Sequence, residues 1–290
     1  MKVSVIIPFR EETPLLEQCI ESVKKQDYEG IEIIAVSDRV KLKRSSVVSI
    51  FDSSCKGAGE KRNLGAKKAS GDILFFLDSD CILKENSVSM LVKTFEEHKA
   101  DAVSGKPLAP RNANILGLVT GLEYEDRFDK MGEGYVDVAA TTCLGILKEA
   151  FQNVGGFVDY RENEAVGEDW DFSARLKQKN YSIYHTNRVE VFHEHASDTL
   201  MHYLKRQYEH AKYRITHFRK HGGITDQYSS WAMILSSTLL LNLPATARIY
   251  FKTKNPKVFV LPFVSLLRSF AWLAGAAAGI TFQQSFVRFP

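Results

Sequence analysis

From Met1 to Lys106, short runs of continuous apolar residues alternate with segments of helical periodicity, and few folds accommodate that alternation. Val3–Ile7, Ile31–Val36, Val47–Phe51 and Ile73–Leu77 read as strands, with another at Ala102–Ser104. Between them Leu15, Leu16, Cys19, Ile20 and Val23 recur at helical spacing, and helices are predicted over Glu60–Lys68 and Val88–Phe95. A strand that is apolar throughout, rather than at every second position, is covered on both faces. The expected architecture is therefore α/β, with a Rossmann-like, mostly parallel central sheet and helices on both faces. In such sheets ligands bind beyond the carboxyl ends of the strands. That rule selects Pro8–Glu12, Ser37, Asp38 and Asp78–Asp80.

Bulk composition narrows the class. With 290 residues, 44% hydrophobic and 25% charged, the chain is long enough for one large core or two modest ones, and its balance excludes disorder. A net charge of +3 is too close to neutral to indicate a nucleic-acid partner. Four cysteines without a CxxC pair fit reduced thiols better than a disulfide framework or a zinc site. The apolar run at the N-terminus ends at Pro8, too short for a signal peptide, so the catalytic part is expected to start at once, in the cytoplasm.

Three clusters can do chemistry. In "ILFFLDSD" an apolar strand ends on Asp78 and Asp80, which repel each other and resist desolvation. Either they cap the turn or the next helix, or a divalent cation with a preference for hard oxygen ligands, Mg²⁺ or Mn²⁺, relieves the repulsion. In "AVGEDWDFSARL", Gly167 allows a tight turn, and Glu168, Asp169 and Asp171 open a helix; Asp169 reads as its N-cap, a role compatible with catalysis. Strands follow at Tyr181–Tyr184 and Val189–Phe192, the second ending at His193. In "GAGEKRNLGAKK" the third glycine, Gly65, comes two positions late for the dinucleotide fingerprint. What remains is a helix start with Lys61 and Arg62, either a solvated basic face or a diphosphate contact.

The order of "VSVIIPFR", Ser37–Asp38, "GAGEKRNLGAKKASGDILFFLDSD", "GGFVDYRENEAVGEDWDFSARL" and "VFHEH" resembles family 2 of the inverting glycosyltransferases, with the GT-A fold, over roughly residues 1–220. The resemblance implies a nucleotide-diphosphate sugar donor, a divalent metal and direct displacement at the anomeric carbon. It puts Pro8 and Glu11 near the base, Asp38 on the base, Arg62 near the diphosphate, and Asp78 at the ribose or metal. It makes Asp80 the principal metal ligand and His193 a further one, with Asp169 as general base; Glu168 orients the loop or the acceptor. A hydroxyl acceptor needs such a base and a lipid phosphate does not, so a glycan or lipid-linked glycan is the expected acceptor. Processive members carry Q-x-x-R-W after the base; here "KRQYEHAKYR" has no tryptophan, so one sugar per encounter is expected. A nucleotidyltransferase would not need Asp169, and a catalytically silent binding module would not need both acidic clusters.

Along the chain, residues 1–106 are expected to bind nucleotide, 107–200 to bind acceptor and carry the base, and 201–221 to form a basic amphipathic segment. Residues 222–290 are expected to form a membrane-associated helical region. Gln227–Ala247 carries no charge and Val258–Ile280 only Arg268. A simple hairpin would put Arg248, Lys252, Lys254 and Lys257 outside, against the positive-inside tendency. The segments are therefore expected to lie in the interface, or to pack in a homo-oligomer that shelters Arg268.

Overall fold

The five strands expected within residues 1–106 all form, and a computed structural model places them in one sheet. It describes residues 1–158, 167–194, 199–221 and 242–281. The chain divides into two compact units, Met1–Ser197 and Asp198–Pro290.

In the first unit β1 (Val3–Phe9), β2 (Ile31–Ser37), β3 (Val48–Phe51) and β4 (Ile73–Leu77) run parallel, in the order β3-β2-β1-β4. Next to β4 lies β8 (Cys143–Leu147), antiparallel both to it and to β6 (Ala102–Leu108). β9 (Ile183–His193) then runs parallel to β6, and β5 (Cys81–Leu83) and β7 (Gly134–Tyr135) pair antiparallel with β9. Six strands thus point one way; β5, β7 and β8 point back.

Continuous apolarity is explained by the two cores. Val3, Val5 and Ile7 of β1 meet α1 (Pro14–Lys24) and α3 (Ser87–His98) in one core, through Leu16, Ile20, Leu91 and Phe95. Ile6 turns to the opposite face, the side of α2 (Ala58–Lys68), α5 (Lys148–Asn153) and α6 (Glu168–Gln178), where Phe76, Phe151, Phe157 and Phe172 pack together. Pro8 sits inside β1 opposite Val36, but the ladder to β4 stops at Ile6 and Phe76, so its missing N–H is tolerated. Gly65, late for a dinucleotide loop, serves packing instead: a Cβ there would lie 2.5 Å from Ile6 Cγ2, so only glycine lets α2 approach β1 this closely.

One element comes without a sequence prediction and one expectation is corrected. Residues 109–136 hold α4 (Ile115–Met131), started by the Asn114 side chain, which accepts from Gly117 N at 2.8 Å. Its periodicity is masked because acidic residues, Glu123 and Asp126, share its buried side with Leu116 and Val119. The predicted strands at Tyr181–Tyr184 and Val189–Phe192 are one strand with a bulge: Ser104 faces His185, but Lys106 faces Glu190.

The second unit comprises α7 (Leu200–His221), α8 (Leu243–Thr253), a 3₁₀ turn (Pro256–Val260) and α9 (Leu261–Thr281). The basic segment 201–221 is helix α7. Most of the uncharged stretch Gln227–Ala247 lies outside the described residues.

Gly65→Ala gains about 1 kcal/mol of helix propensity but costs about 1–3 kcal/mol in overpacking against Ile6. The expected outcome is a net loss of stability, read as a lower urea midpoint at unchanged slope.

Candidate active site

The site forms where β1, β2 and β4 end. At β4, Cys81 N donates to Asp78 O (3.0 Å) and Glu194 N to Asp80 O (2.9 Å), so backbone groups close the Asp78–Cys81 turn. Neither aspartate caps a helix: α3 begins at Ser87, behind Asn86.

The two basic residues at the start of α2 are not a solvated face, since Lys61 and Arg62 are each 3% exposed. The Arg62 guanidinium donates through Nη2 to Asp78 Oδ1 (2.6 Å) and through Nη1 to Glu168 Oε1 (3.0 Å), and it lies 5.6 Å from the Phe157 ring centroid. One buried cation thus joins both acidic clusters, and their charges raise its pKa although burial alone would lower it. Phe157 is fixed by Asn63, which donates to Phe157 O (2.7 Å) and accepts from Phe157 N (2.8 Å). Gly156 before it has φ +69°, and a Cβ there would stand 2.6 Å from Asn63 Oδ1, so the chain must carry glycine at this crossing.

Lys61 reaches the other way. Its Nζ donates to Phe9 O (3.1 Å) and lies 2.5 Å from Asp38 Oδ1, tying the ends of β1 and β2 together. Burial pushes Asp38 up, but the hydrogen bond and charge of Lys61 outweigh it and hold the carboxyl below its ordinary range. Ser37 Oγ donates to Arg10 O (3.1 Å), fixing the loop that follows β1. Of the residues expected near the base, Asp38 is nearly buried and held ionised, Pro8 is a buried strand residue, and Glu11 is exposed and paired with Arg39 at 2.6 Å.

Glu168, Asp169 and Asp171 occupy the first turn of α6, whose N-cap is Gly167 at φ +95° rather than Asp169. Asp171 is fully buried against Arg175 Nε (2.7 Å) and is structural. Asp169 is partly buried and accepts from Trp170 N at 2.9 Å. Burial first, and then the charge of Glu168 beside it, push its carboxyl up to about 7, with Arg62 and the backbone opposing. A carboxylate that exchanges its proton near neutrality suits acid–base work.

The register of β5 on β9 sets Cys81 opposite His193 and so brings Asp80 beside the imidazole, with Asp80 Oδ1 3.4 Å from His193 Nε2. Asp80, Cys81 and His193 have their ligand atoms within 4.8 Å of one another. Cys81 belongs to the apolar core, and burial raises its pKa well above the ordinary thiol value, so it stays protonated. Asp80 and His193 therefore form an oxygen-and-nitrogen pair whose chemistry fits a divalent cation. Asp78 is outside this group, being engaged by Arg62.

Glu194 was legible in the sequence only as part of "VFHEH". It is 3% exposed and accepts from Arg111 N, Asn112 N and Arg111 Nε at 2.9–3.1 Å, pinning the chain ahead of α4 to the end of β9. These bonds hold its carboxyl below the usual range against the effect of burial. An acid directly after a strand-end histidine was its one visible signal.

The family model "Glycosyl transferase family 2" matches residues 4–155. The glycosyltransferase GlyG of Streptococcus pneumoniae is 31% identical over 135 residues, 42% of this chain and 45% of that protein. Poly-beta-1,6-N-acetyl-D-glucosamine synthase of Staphylococcus aureus is 24% identical over 197 residues, 62% of this chain and 47% of the synthase. The chain thus spans about half the length of these two relatives. Among solved structures, a Pyrobaculum calidifontis mannosyltransferase in complex with GDP-Man and Mn²⁺ is similar at a TM-score of 0.59 and 15% identity, covering 96% of this chain and 87% of its own. At that identity the likeness shows the fold.

Arg62→Met leaves Asp78 and Glu168 facing each other without their shared cation, and breaking such a partly buried pair costs about 3–5 kcal/mol. Urea unfolding at neutral pH is expected to show most of that loss. Arg62→Lys recovers only a part, because a point charge cannot bridge two carboxylates as a fork does.

Proposed function

This chain belongs to glycosyl transferase family 2, with the GT-A fold, and from that membership we propose that it transfers a sugar, with inversion, from a nucleoside-diphosphate donor to a hydroxyl of a glycan or lipid-linked glycan. The observation that carries the reading is Asp169: a carboxyl raised to about 7, at a helix start tied through Glu168 and Arg62 to the acidic turn after β4.

The acceptor oxygen forms its bond to the anomeric carbon as the bond to the diphosphate breaks, and the hydroxyl proton passes to Asp169. Arg62 holds Glu168 in place, so that the turn carrying Asp169 is positioned before substrates arrive. Arg62 and Asp78 border the path of the diphosphate, while Asp38 and Pro8, with Glu11 at the rim, belong to the base end. Asp80 and His193 would hold the divalent cation, which when bound neutralises charge on the leaving diphosphate. Their pairing supports Mn²⁺ or Mg²⁺, and the GDP-Man and Mn²⁺ of the mannosyltransferase complex are in keeping with it. The lack of a tryptophan in "KRQYEHAKYR", residues 205–214, favours one transfer per encounter.

Membrane association of the second unit, with a cytoplasmic catalytic domain, completes the proposal. Among the described residues one helix, Pro256–Ile280, is long and apolar enough to cross a bilayer. An acceptor carried on lipid would then be within reach of a surface-held enzyme.

Three outcomes are expected. Because Asp169 must be ionised to accept a proton, kcat/KM should be level above pH of about 7 and fall tenfold per unit below it. Asp169→Asn should flatten that limb and lower kcat by at least about a hundredfold with nucleotide binding retained, as read by steady-state kinetics and calorimetry. Asp80→Ala should remove the dependence of nucleoside-diphosphate affinity on Mn²⁺ in a titration with and without the metal; unchanged metal dependence would take the cation away from this pair.

A further inference from the structure

We propose that the second unit docks on an anionic lipid surface with α9 lying in the plane of the interface, its aromatic edge in the acyl chains and α7 on the water side. The inference rests on the membrane association proposed above and fixes its geometry.

By length α9 could span, but its packing decides otherwise. Arg268 lies beside Tyr203, Trp272 Nε1 donates to Gln207 Oε1 (3.0 Å), Gly275 meets Tyr208 and Ala211, and Gly279 meets Lys212 and Ile215. These pairings climb together, so α7 and α9 run parallel and in contact. A Cβ at Gly275 would stand 2.2 Å from Tyr208 O, and one at Gly279 2.7 Å from Lys212 O, so the two backbones nearly touch. A spanning α9 would therefore take α7 into the hydrocarbon with Lys205, Arg206, Glu209, Lys212 and Arg214, and such charges are strongly penalised there.

Arg268 agrees. It is 7% exposed, with Nη2 3.2 Å from Ser265 Oγ and Nη1 3.5 Å from Tyr203 OH, so its charge is in the seam with α7. The opposite face of α9 is apolar and bare: Phe263 is 66% exposed, Leu267 39% and Phe270 61%. At about 100° per residue Leu267 and Phe270 fall within about 40° of Phe263, and Arg268 about 140° away. Phe259 and Phe251 are also exposed, interleaved with exposed Lys252, Lys254 and Lys257. From residue 242 to 281 there is no acidic residue. Phenylalanines at acyl depth rimmed by lysines match the headgroup layer of an anionic bilayer.

The test uses the full chain with Cys55→Ser, which removes the one thiol that is not buried. Phe263→Cys, Phe270→Cys and Ala277→Cys, all at exposed positions, each receive an environment-sensitive fluorophore. They are bound to vesicles of phosphatidylcholine with about one-third phosphatidylglycerol, and depth is read with lipid-borne quenchers. The expected result is three shallow depths agreeing within about 5 Å. Phe263→Ser with Phe270→Ser should lower partitioning at least about tenfold, and glutamine at Lys252, Lys254 and Lys257 should abolish the preference for phosphatidylglycerol. Depths stepping by about 20 Å from residue 263 to 277 would overturn in-plane docking and leave membrane association standing. No spectral change with any vesicle would overturn both. A change that grows with protein concentration without vesicles would assign the face to a second copy. Transfer is not read, so the glycosyltransferase reading is tested separately.

Discussion

A guanidinium buried between two carboxylates is the constraint on which the first unit depends. Arg62 joins the turn after β4 to the start of α6, segments separated by ninety residues of sequence. Without Arg62 the carboxylates of Asp78 and Glu168 would each be partly desolvated and lack this counter-charge, and Asp169 adds a further acid beside Glu168. A cation already in place lets that much negative charge gather before any substrate arrives. The shared partner also divides labour. Glu168 is ionically engaged, whereas Asp169, one residue on, is left to burial and its neighbour's repulsion, and so titrates near neutrality. Adjacent carboxyls thus stand in different surroundings, and those of Asp169 raise its pKa.

The sheet and its helices were legible because burial on both faces writes itself into composition: β4 is apolar at every position and β1 at every position but Ser4, and α1 and α3 show their single apolar stripe. The acidic turn was legible from its place at a strand end. What was hidden is whatever depends on a partner remote in sequence. Nothing near Arg62 announces that it is buried, since a basic residue on a short helix looks the same in water. Helix α4 was missed because buried Glu123 and Asp126 break the apolar period, and the bulge in β9 because polar residues at a bulge read as a turn between two strands.

The same limit applied to Arg268. Its position within an apolar run was plain, but its surroundings lay in α7, where Tyr203, 65 residues earlier, supplies a hydroxyl beside it. Packing within the unit buries the guanidinium against Tyr203 and Ser265.

The displaced register within β9 has a consequence for how this molecule can vary. Its first half is phased by β6 and β7, and its second half, ending in His193, is phased separately by β6 and β5, with the slack taken up around residues 186–189. The strand behaves as two rulers joined by a slip coupling. Residues can be gained or lost at the coupling without rotating the imidazole away from Asp80, so the outer edge of the sheet can drift while the Asp80–His193 pair stays aligned.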